Sequence, residues 1–296
     1  MKKILLSLVL ALLSLTSNAE LPKNMKVYTT GSPGPTLICR TLFEEYDKIY
    51  NTSTIFVVKP GASGMLAMLQ MINDKEFSVT CLTGLSESIF NSKEYPGYES
   101  EHSKLTMVST VMMAGVYFVT GNSNRYNNIQ ELVSANSSKE ITIGYPSPAM
   151  RFIIDNMFPG KKILLVPFKS SNEAIPSLMD GSLDFYVDPG SLLQLIRAGK
   201  LKSIGNLNGI QDSFSGPDMS KVYSKAASIK VFAGVSTSID NNAADISELN
   251  KRLNILLDTE IMKNTVAKIN GTILKGSVKQ SNELVENIKR EYDIWK

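Results

Sequence analysis

Two short stretches in the first quarter of the chain hold the residues best suited to chemistry: Val27-Tyr-Thr-Thr-Gly-Ser-Pro-Gly-Pro-Thr36 and Phe56-Val-Val-Lys-Pro-Gly-Ala-Ser-Gly64. Each reads as a strand, a tight turn of Gly, Pro, Ser and Thr, and the start of an apolar helix. Such turns present backbone N–H groups at a helix N-terminus, where the helix dipole also favours negative charge. Connections that only turn the chain use the same residues, so it is the pair of turns that points to an anion site. Gly61-x-x-Gly64 lacks the Lys-Ser/Thr of a phosphate loop, and Gly31-x-x-Gly34 lacks the dinucleotide fingerprint. Hydroxyls at Thr29, Thr30, Ser32, Thr36, Ser63 and Thr83 add donors without fixed charge. That set suits a carboxylate held by neutral hydrogen bonds, each contributing about 0.5–1.5 kcal/mol net.

Catalysis is a poorer fit. His102 is the only histidine and lies in a polar, charged run, Asn91–Lys104, so a hydrolase triad has no evident base. Gly84-Leu-Ser86-Glu-Ser88 approaches the nucleophile elbow without its second glycine, and Gly61-Ala-Ser63-Gly64 misses it by one residue the other way. One histidine and two distant cysteines make no zinc site. No catalytic residue, metal or cofactor is expected, and the chain reads as a binding protein. A secreted serine hydrolase using Ser63 or Ser86 is the outlying alternative.

The elements that must position these residues alternate. Strands are expected at Lys26–Thr30, Thr54–Val58 and Ser78–Leu82, with helices at Thr36–Tyr50 and Gly64–Asn73. This spacing predicts βαβ units and a parallel sheet. The third strand ends in the turn Thr83–Ser86, so three strand ends converge where ligands sit in open α/β sheets. A β-rich run, Leu105–Gly121, crosses to a second alternation. That alternation comprises helix Asn128–Asn136, strand Ile141–Gly144, helix Ala149–Met157, strand Ile163–Pro167, helix Asn172–Asp180, strand Phe185–Val187, helix Ser191–Arg197 and strand Lys202–Gly205. Ile229–Ser236 carries the chain back, and helices Ile246–Ile269 and Ser281–Trp295 follow. The expected organisation is a signal at 1–19, a discontinuous first lobe at 20–115 plus 228–296, and an inserted second lobe at 116–227. Two such lobes close on a ligand in the cleft through a few hinge residues.

In the second lobe, Gly144-Tyr-Pro-Ser-Pro-Ala149 places Tyr145 and Ser147 before a helix, facing the same cleft. Arg151 either grips a carboxylate bidentately or sits on the surface of that helix. Lys59 and Lys169 read as solvated. Asp188, at a strand end before Pro189-Gly190, either caps a helix or hydrogen-bonds a ligand.

Composition agrees with export. Lys2 and Lys3, the apolar run Ile4–Leu15 and Ser17-Asn-Ala19 form a secretory signal, and Glu20 after the cut excludes a lipidated cysteine. Without Lys2 and Lys3 the chain carries 29 basic and 28 acidic residues, a balance that argues against nucleic acid. The roughly 277 remaining residues exceed one ordinary core. Cys39 and Cys81 lie among apolar neighbours and read as two buried free thiols, with a single bridge the alternative in an oxidising compartment.

The run Val166-Pro-Phe-Lys-Ser-Ser-Asn-Glu-Ala-Ile-Pro-Ser-Leu-Met-Asp-Gly-Ser-Leu-Asp-Phe-Tyr-Val-Asp188, with Leu195-Ile-Arg-Ala-Gly-Lys-Leu201, resembles the Bug-type solute receptors of tripartite tricarboxylate transporters. Lys59–Gly64 is similar to that family's Arg-Pro-Gly-Ala-Gly-Gly turn, and Val27–Arg40 to its first turn; the likeness runs in order from Val27 to Trp295. The resemblance implies an α/β, two-lobed periplasmic-binding fold (type II), joined by two crossing strands. It also implies a small di- or tricarboxylate ligand, a periplasmic monomer, and delivery to membrane permease subunits. A periplasmic sensor feeding a two-component signalling system is the alternative role. By that resemblance the ligand carboxylate is held at Thr30, Gly31 and Ser32 and at Gly61, Ala62, Ser63 and Gly64. Two departures stand out. The family's Asp at the end of the first turn falls at Thr36, which tilts the ligand toward an acid without an amino group. Its second-lobe glycine-serine loop is shortened to Gly144–Ala149.

Overall fold

The computed structural model describes residue 19 and residues 21–31, 33–81, 101, 103–135, 139–158, 160–207, 209, 213–228 and 231–294. The signal segment before Ala19, Ser32, Thr83, Ser86 and His102 lie outside the described residues, as does the Ser63 side chain.

The chain runs β1 (Asn24–Thr29), α1 (Pro33–Tyr50), β2 (Ser53–Val58), a 3-10 turn at Ala62–Gly64, α2 (Met65–Ile72) and β3 (Ser78–Cys81). Next come β4 (Leu105–Met113), β5 (Tyr117–Gly121), α3 (Ile129–Ala135), β6 (Ile141–Tyr145), α4 (Pro148–Met157) and β7 (Ile163–Pro167). A 3-10 turn at Ser171–Ala174 leads into α5 (Ile175–Asp180), β8 (Phe185–Asp188), α6 (Leu193–Arg197) and β9 (Leu201–Asn206). The chain closes with α7 (Ser224–Ser228), β10 (Phe232–Ser238), α8 (Ala243–Leu256), α9 (Glu260–Ala267), β11 (Thr272–Ile273) and α10 (Val278–Ile294).

Helix α1 shows why these residues fold as they do. Pro33 and Pro35 sit in the first turn, where a missing N–H costs nothing. Ile38, Cys39, Leu42, Phe43 and Tyr46 recur at helical spacing and are buried against the sheet. Lys48 sits in the last turn and Asn51, in the left-handed conformation, ends the helix. The face of β1 carrying Met25 and Val27 packs against α1, α8 and α9, whose Leu249, Leu253, Leu256 and Met262 complete that core. Tyr28 points to the opposite face, into a cluster with Met65, Met68 and Met71 that continues through Val116 to Phe118, Ile143 and Phe185 of the second sheet.

Two mixed sheets result, ordered β11-β4-β10-β3-β1-β2 and β7-β6-β8-β5-β9. The expected parallel pairing holds for β1 with β2 and β3, and for β6 with β7 and β8. It fails at β10 and β5, each antiparallel to both of its neighbours. The cause is the crossing: a strand that has passed between sheets returns against the grain of the units it joins. The β-rich run Leu105–Gly121 is two strands in different sheets, broken at Ala114–Val116. The Ala114 N–H donates to the Val231 carbonyl at 2.8 Å and the Leu207 N–H to the Val116 carbonyl at 3.0 Å. The outgoing and returning connections therefore run side by side. Short elements escaped the sequence reading: β11 and α7 carry too few residues for a periodicity.

The cysteines need a correction. Cys39 on α1 and Cys81 at the end of β3 form a disulfide, with Cα atoms 5.9 Å apart. Their shared apolar setting masked this, because both point into the same interface from elements 42 residues apart.

Candidate functional site

Strand direction fixes where a site can lie. β4 runs the same way as β1, being antiparallel to β10, which is antiparallel to β3. The crossing after β4 therefore leaves at the end of the sheet where β1, β2 and β3 finish. In the second sheet Tyr117, the first residue of β5, is the register partner of Asp188, the last of β8. The carboxyl ends of β6, β7 and β8 therefore also face the crossing, so both sets of strand-to-helix turns lie at the sheet ends that the crossing joins, the place where ligands sit in open α/β sheets.

On the first sheet the turns are held together. The Lys59 N–H donates to the Thr29 carbonyl at 2.8 Å, extending the β1–β2 pairing to the last residue of each strand. Gly31 has φ +79°, and a Cβ there would stand 2.7 Å from Val58 Cγ1, so only glycine fits. In the second turn Gly61, Ala62 and Gly64 all have positive φ (118°, 45° and 94°) and the Gly64 N–H returns to the Gly61 carbonyl at 3.0 Å. Ala62 is left-handed despite its Cβ, which costs of order 1–2 kcal/mol. Gly64 then starts α2. Because Pro33 and Pro35 lack N–H groups, the donors in the first turn of α1 are those of Gly34 and Thr36.

Three hydroxyls of the first sheet and its first helix are buried without a hydrogen-bond partner: Thr29 Oγ1 at the end of β1, Thr36 Oγ1 in the first turn of α1, and Thr80 Oγ1 near the end of β3, on the opposite sheet face from Thr29. Thr29, the last residue of β1, is only 1% exposed. An unpaired buried hydroxyl costs about 1–3 kcal/mol. Thr29 is among the hydroxyls expected from sequence to add donors; Thr80 is not, because a strand threonine reads equally well as an ordinary β-former.

The second sheet also carries polar groups at its strand ends, and one of them, Asp188 Oδ1, is likewise buried without a hydrogen-bond partner. Tyr145 is buried at the end of β6, and its carbonyl accepts the Phe168 N–H at 3.0 Å. Ser147 is the extended N-cap of α4, with its carbonyl accepting from the Arg151 N–H at 3.1 Å. Arg151 lies beside Asp155, Nε to Oδ2 3.8 Å, with both side chains about half exposed, so it is the surface arginine of the two readings. Asp188 is fully buried; its Oδ2 accepts from the N–H groups of Gly190 and Leu192, each at 2.9 Å. Burial pushes its carboxyl up to about 6, against the pull of those backbone donors and the Ser171 hydroxyl. It organises the turn that follows β8.

That turn touches the first sheet's helices. A Cβ on Gly190 would lie 2.7 Å from the Ile269 carbonyl oxygen. Gln194 Nε2 and Arg197 Nη1 donate to the Lys268 carbonyl at 3.2 and 3.3 Å, and Arg197 Nη2 donates to Asn270 Oδ1. Arg197 and Asn270 are the residues that sequence reasoning missed; they lie 73 positions apart and have no local signal.

Among the described residues no helix is long and apolar enough to cross a membrane, and no three His, Cys, Asp or Glu side chains group as a metal site.

This architecture is an α/β fold of two sheets joined by two crossings, and the chain is similar in fold to several solved structures. MatC of Rhodopseudomonas palustris with bound malate matches with TM-score 0.77 at 16% identity, over 93% of this chain and 100% of that one. An adipate-bound R. palustris protein matches with TM-score 0.75 at 14% identity, over 93% and 96%. A TctC solute-binding protein from Polaromonas matches with TM-score 0.66 at 14% identity, over 95% and 97%. No protein-family model and no curated protein sequence matches the chain.

Proposed function

We propose that this protein is an exported solute receptor that captures a small carboxylate in the inter-sheet cleft and delivers it to the membrane permease subunits of a tripartite transporter. The observation that carries this is the pair of glycine turns on β1 and β2, with the buried, unpartnered hydroxyls of Thr29 and Thr36 beside them. The carboxylate would take N–H donors of these turns and helix starts, at Thr30–Ser32, Thr36 and Gly61–Gly64. Thr83, Tyr145 and Ser147 are candidate contacts around them. Asp188 is a further candidate contact through its unpartnered Oδ1, while its Oδ2 holds the turn after β8. Malate and adipate bound in two solved structures of similar fold support the ligand class.

In this reading residues 1–19 direct export and are removed after Ala19. The lobes are 20–115 plus 228–296 and 116–227, and they close about Ala114–Val116 and the paired return near Val231. The protein acts in the periplasm as a monomer, without a cofactor and without catalysing a reaction.

The test is a titration with C4-dicarboxylates, citrate, adipate and aromatic acids, following thermal unfolding. A ligand at 100 times its Kd stabilises by about 2.7 kcal/mol. Stabilisation by sugars or cations and by no carboxylate overturns the proposal.

A further inference from the structure

A carboxylate grip leaves the rest of the ligand unspecified, and the side chains bordering the two turns bear on that part. Thr29 and Val58 are register partners at the ends of β1 and β2, so their side chains leave the sheet on the same face. Thr29 brings its unpartnered hydroxyl there; Val58 brings methyl groups that are 48% exposed, one of them packed on the Gly31 turn. Leu66, in the first turn of α2, repeats the arrangement: it is 43% exposed, and its Cδ1 lies 3.0 Å from where a Cβ on Gly61 would be. Leu37, next to Thr36 on α1, is 45% exposed. Each anion turn thus has a half-exposed aliphatic side chain beside it, two of them in contact with the turn itself. Solitary exposed leucines need no explanation, but aliphatic groups packed on both halves of a polar site leave apolar surface wet unless something covers it.

We propose that Val58 and Leu66, with Leu37, form an apolar wall for the hydrocarbon part of the ligand. The receptor then selects acids whose carboxyl group carries an unsubstituted methylene chain or a ring over hydroxylated di- and tricarboxylates. This rests on the carboxylate reading above and narrows it. A methylene chain against the wall removes apolar surface of both partners from water. A hydroxyl in the same place gives up its water without gaining a partner.

Binding of adipate, malate and citrate is measured calorimetrically on the purified protein and on a Val58→Thr/Leu66→Gln double variant. Val58→Thr keeps shape and Leu66→Gln keeps helix propensity, and an unchanged thermal midpoint confirms the variant's fold. Adipate is expected to bind the parent at least about tenfold more tightly than malate, about 1.4 kcal/mol, which burial of roughly two methylene groups supplies. In the double variant the ratio shrinks toward one while malate affinity stays. Malate or citrate binding as tightly as adipate overturns the apolar wall and leaves the carboxylate function standing, and so does a preference that survives in the folded variant. If none of the three acids binds and no aromatic acid does either, the wall and the function beneath it fall together.

Discussion

The two sheets are built from the same unit, a parallel strand, a turn and a helix, yet their turns are made differently. At the first sheet the turns use glycines with positive φ, tolerate a left-handed Ala62 and bury threonine hydroxyls with no partner. At the second sheet the Asp188 carboxylate is engaged by the backbone of its own turn, Arg151 faces Asp155, and the turn after β8 leans on Lys268–Asn270 across the gap. Both halves leave buried hydrogen-bonding capacity unmet, at Thr29 and Thr36 on the first and at Asp188 Oδ1 on the second; what the second half adds is the set of contacts that reach across, from Gln194 and Arg197. The first half is also the one that is cross-linked, by Cys39–Cys81 between α1 and β3 directly behind the turns.

Reducing that disulfide, or replacing both cysteines with alanine, is the strongest test of this contrast. Closing a loop across 42 positions stabilises by about 4 kcal/mol in the chain-entropy account, so the thermal midpoint should fall by roughly 10 °C. A midpoint unmoved by reductant would mean that α1 and β3 are positioned without the bridge.

Gly31→Val comes next. A β-branched side chain at φ +79° that also meets Val58 should cost about 2–3 kcal/mol and abolish carboxylate binding. Gly181→Val, at an equally left-handed position with open space around it, should destabilise less and leave binding intact, as calorimetry would show.

Asp188 gives a pH signature. Its carboxyl titrates near 6 when folded, above the ordinary carboxylate value, because burial opposes the charge. The folded state therefore holds the proton more tightly. Stability from this group is full below about pH 4 and is lost as pH rises through 6, a difference on the order of 2 kcal/mol. Asp188→Asn keeps an acceptor for Gly190 and Leu192 and should remove that slope in denaturant titrations run between pH 4 and 7. A slope that persists would assign the titration elsewhere.

The smallest expected effect sharpens the idea of a closing half. Arg197→Ala removes exposed hydrogen bonds to Lys268 and Asn270, each contributing about 1 kcal/mol or less, and should weaken ligand binding a few-fold by disfavouring closure. Arg151→Ala should leave affinity unchanged. Equal losses from the two would erase the distinction between a clasp residue and a surface one.

Much of this was legible in residue order. The strands Ile163–Pro167 and Thr54–Val58 and the helices on either side of them follow from periodicity and turn residues, because those signals are local. The glycine turns were legible for the same reason. The antiparallel return of β10, the bridge between Cys39 and Cys81, and the fate of Asp188 were not, because each depends on what a distant segment places opposite. Asp188 had two readings in sequence, cap or ligand contact; in space its Oδ2 holds the turn through Gly190 and Leu192 rather than capping the helix, and its Oδ1 is buried without a partner.

The sequence by itself therefore determined the α/β alternation, the two anion turns and the poverty of catalytic side chains, since these are properties of neighbours along the chain. Only the tertiary structure decided which polar groups are already satisfied. Whether a hydroxyl or carboxylate is free to meet a ligand is a matter of what surrounds it in space: Thr29 is buried with its hydroxyl unpartnered, and Asp188 has one carboxylate oxygen held by its own turn and the other without a partner.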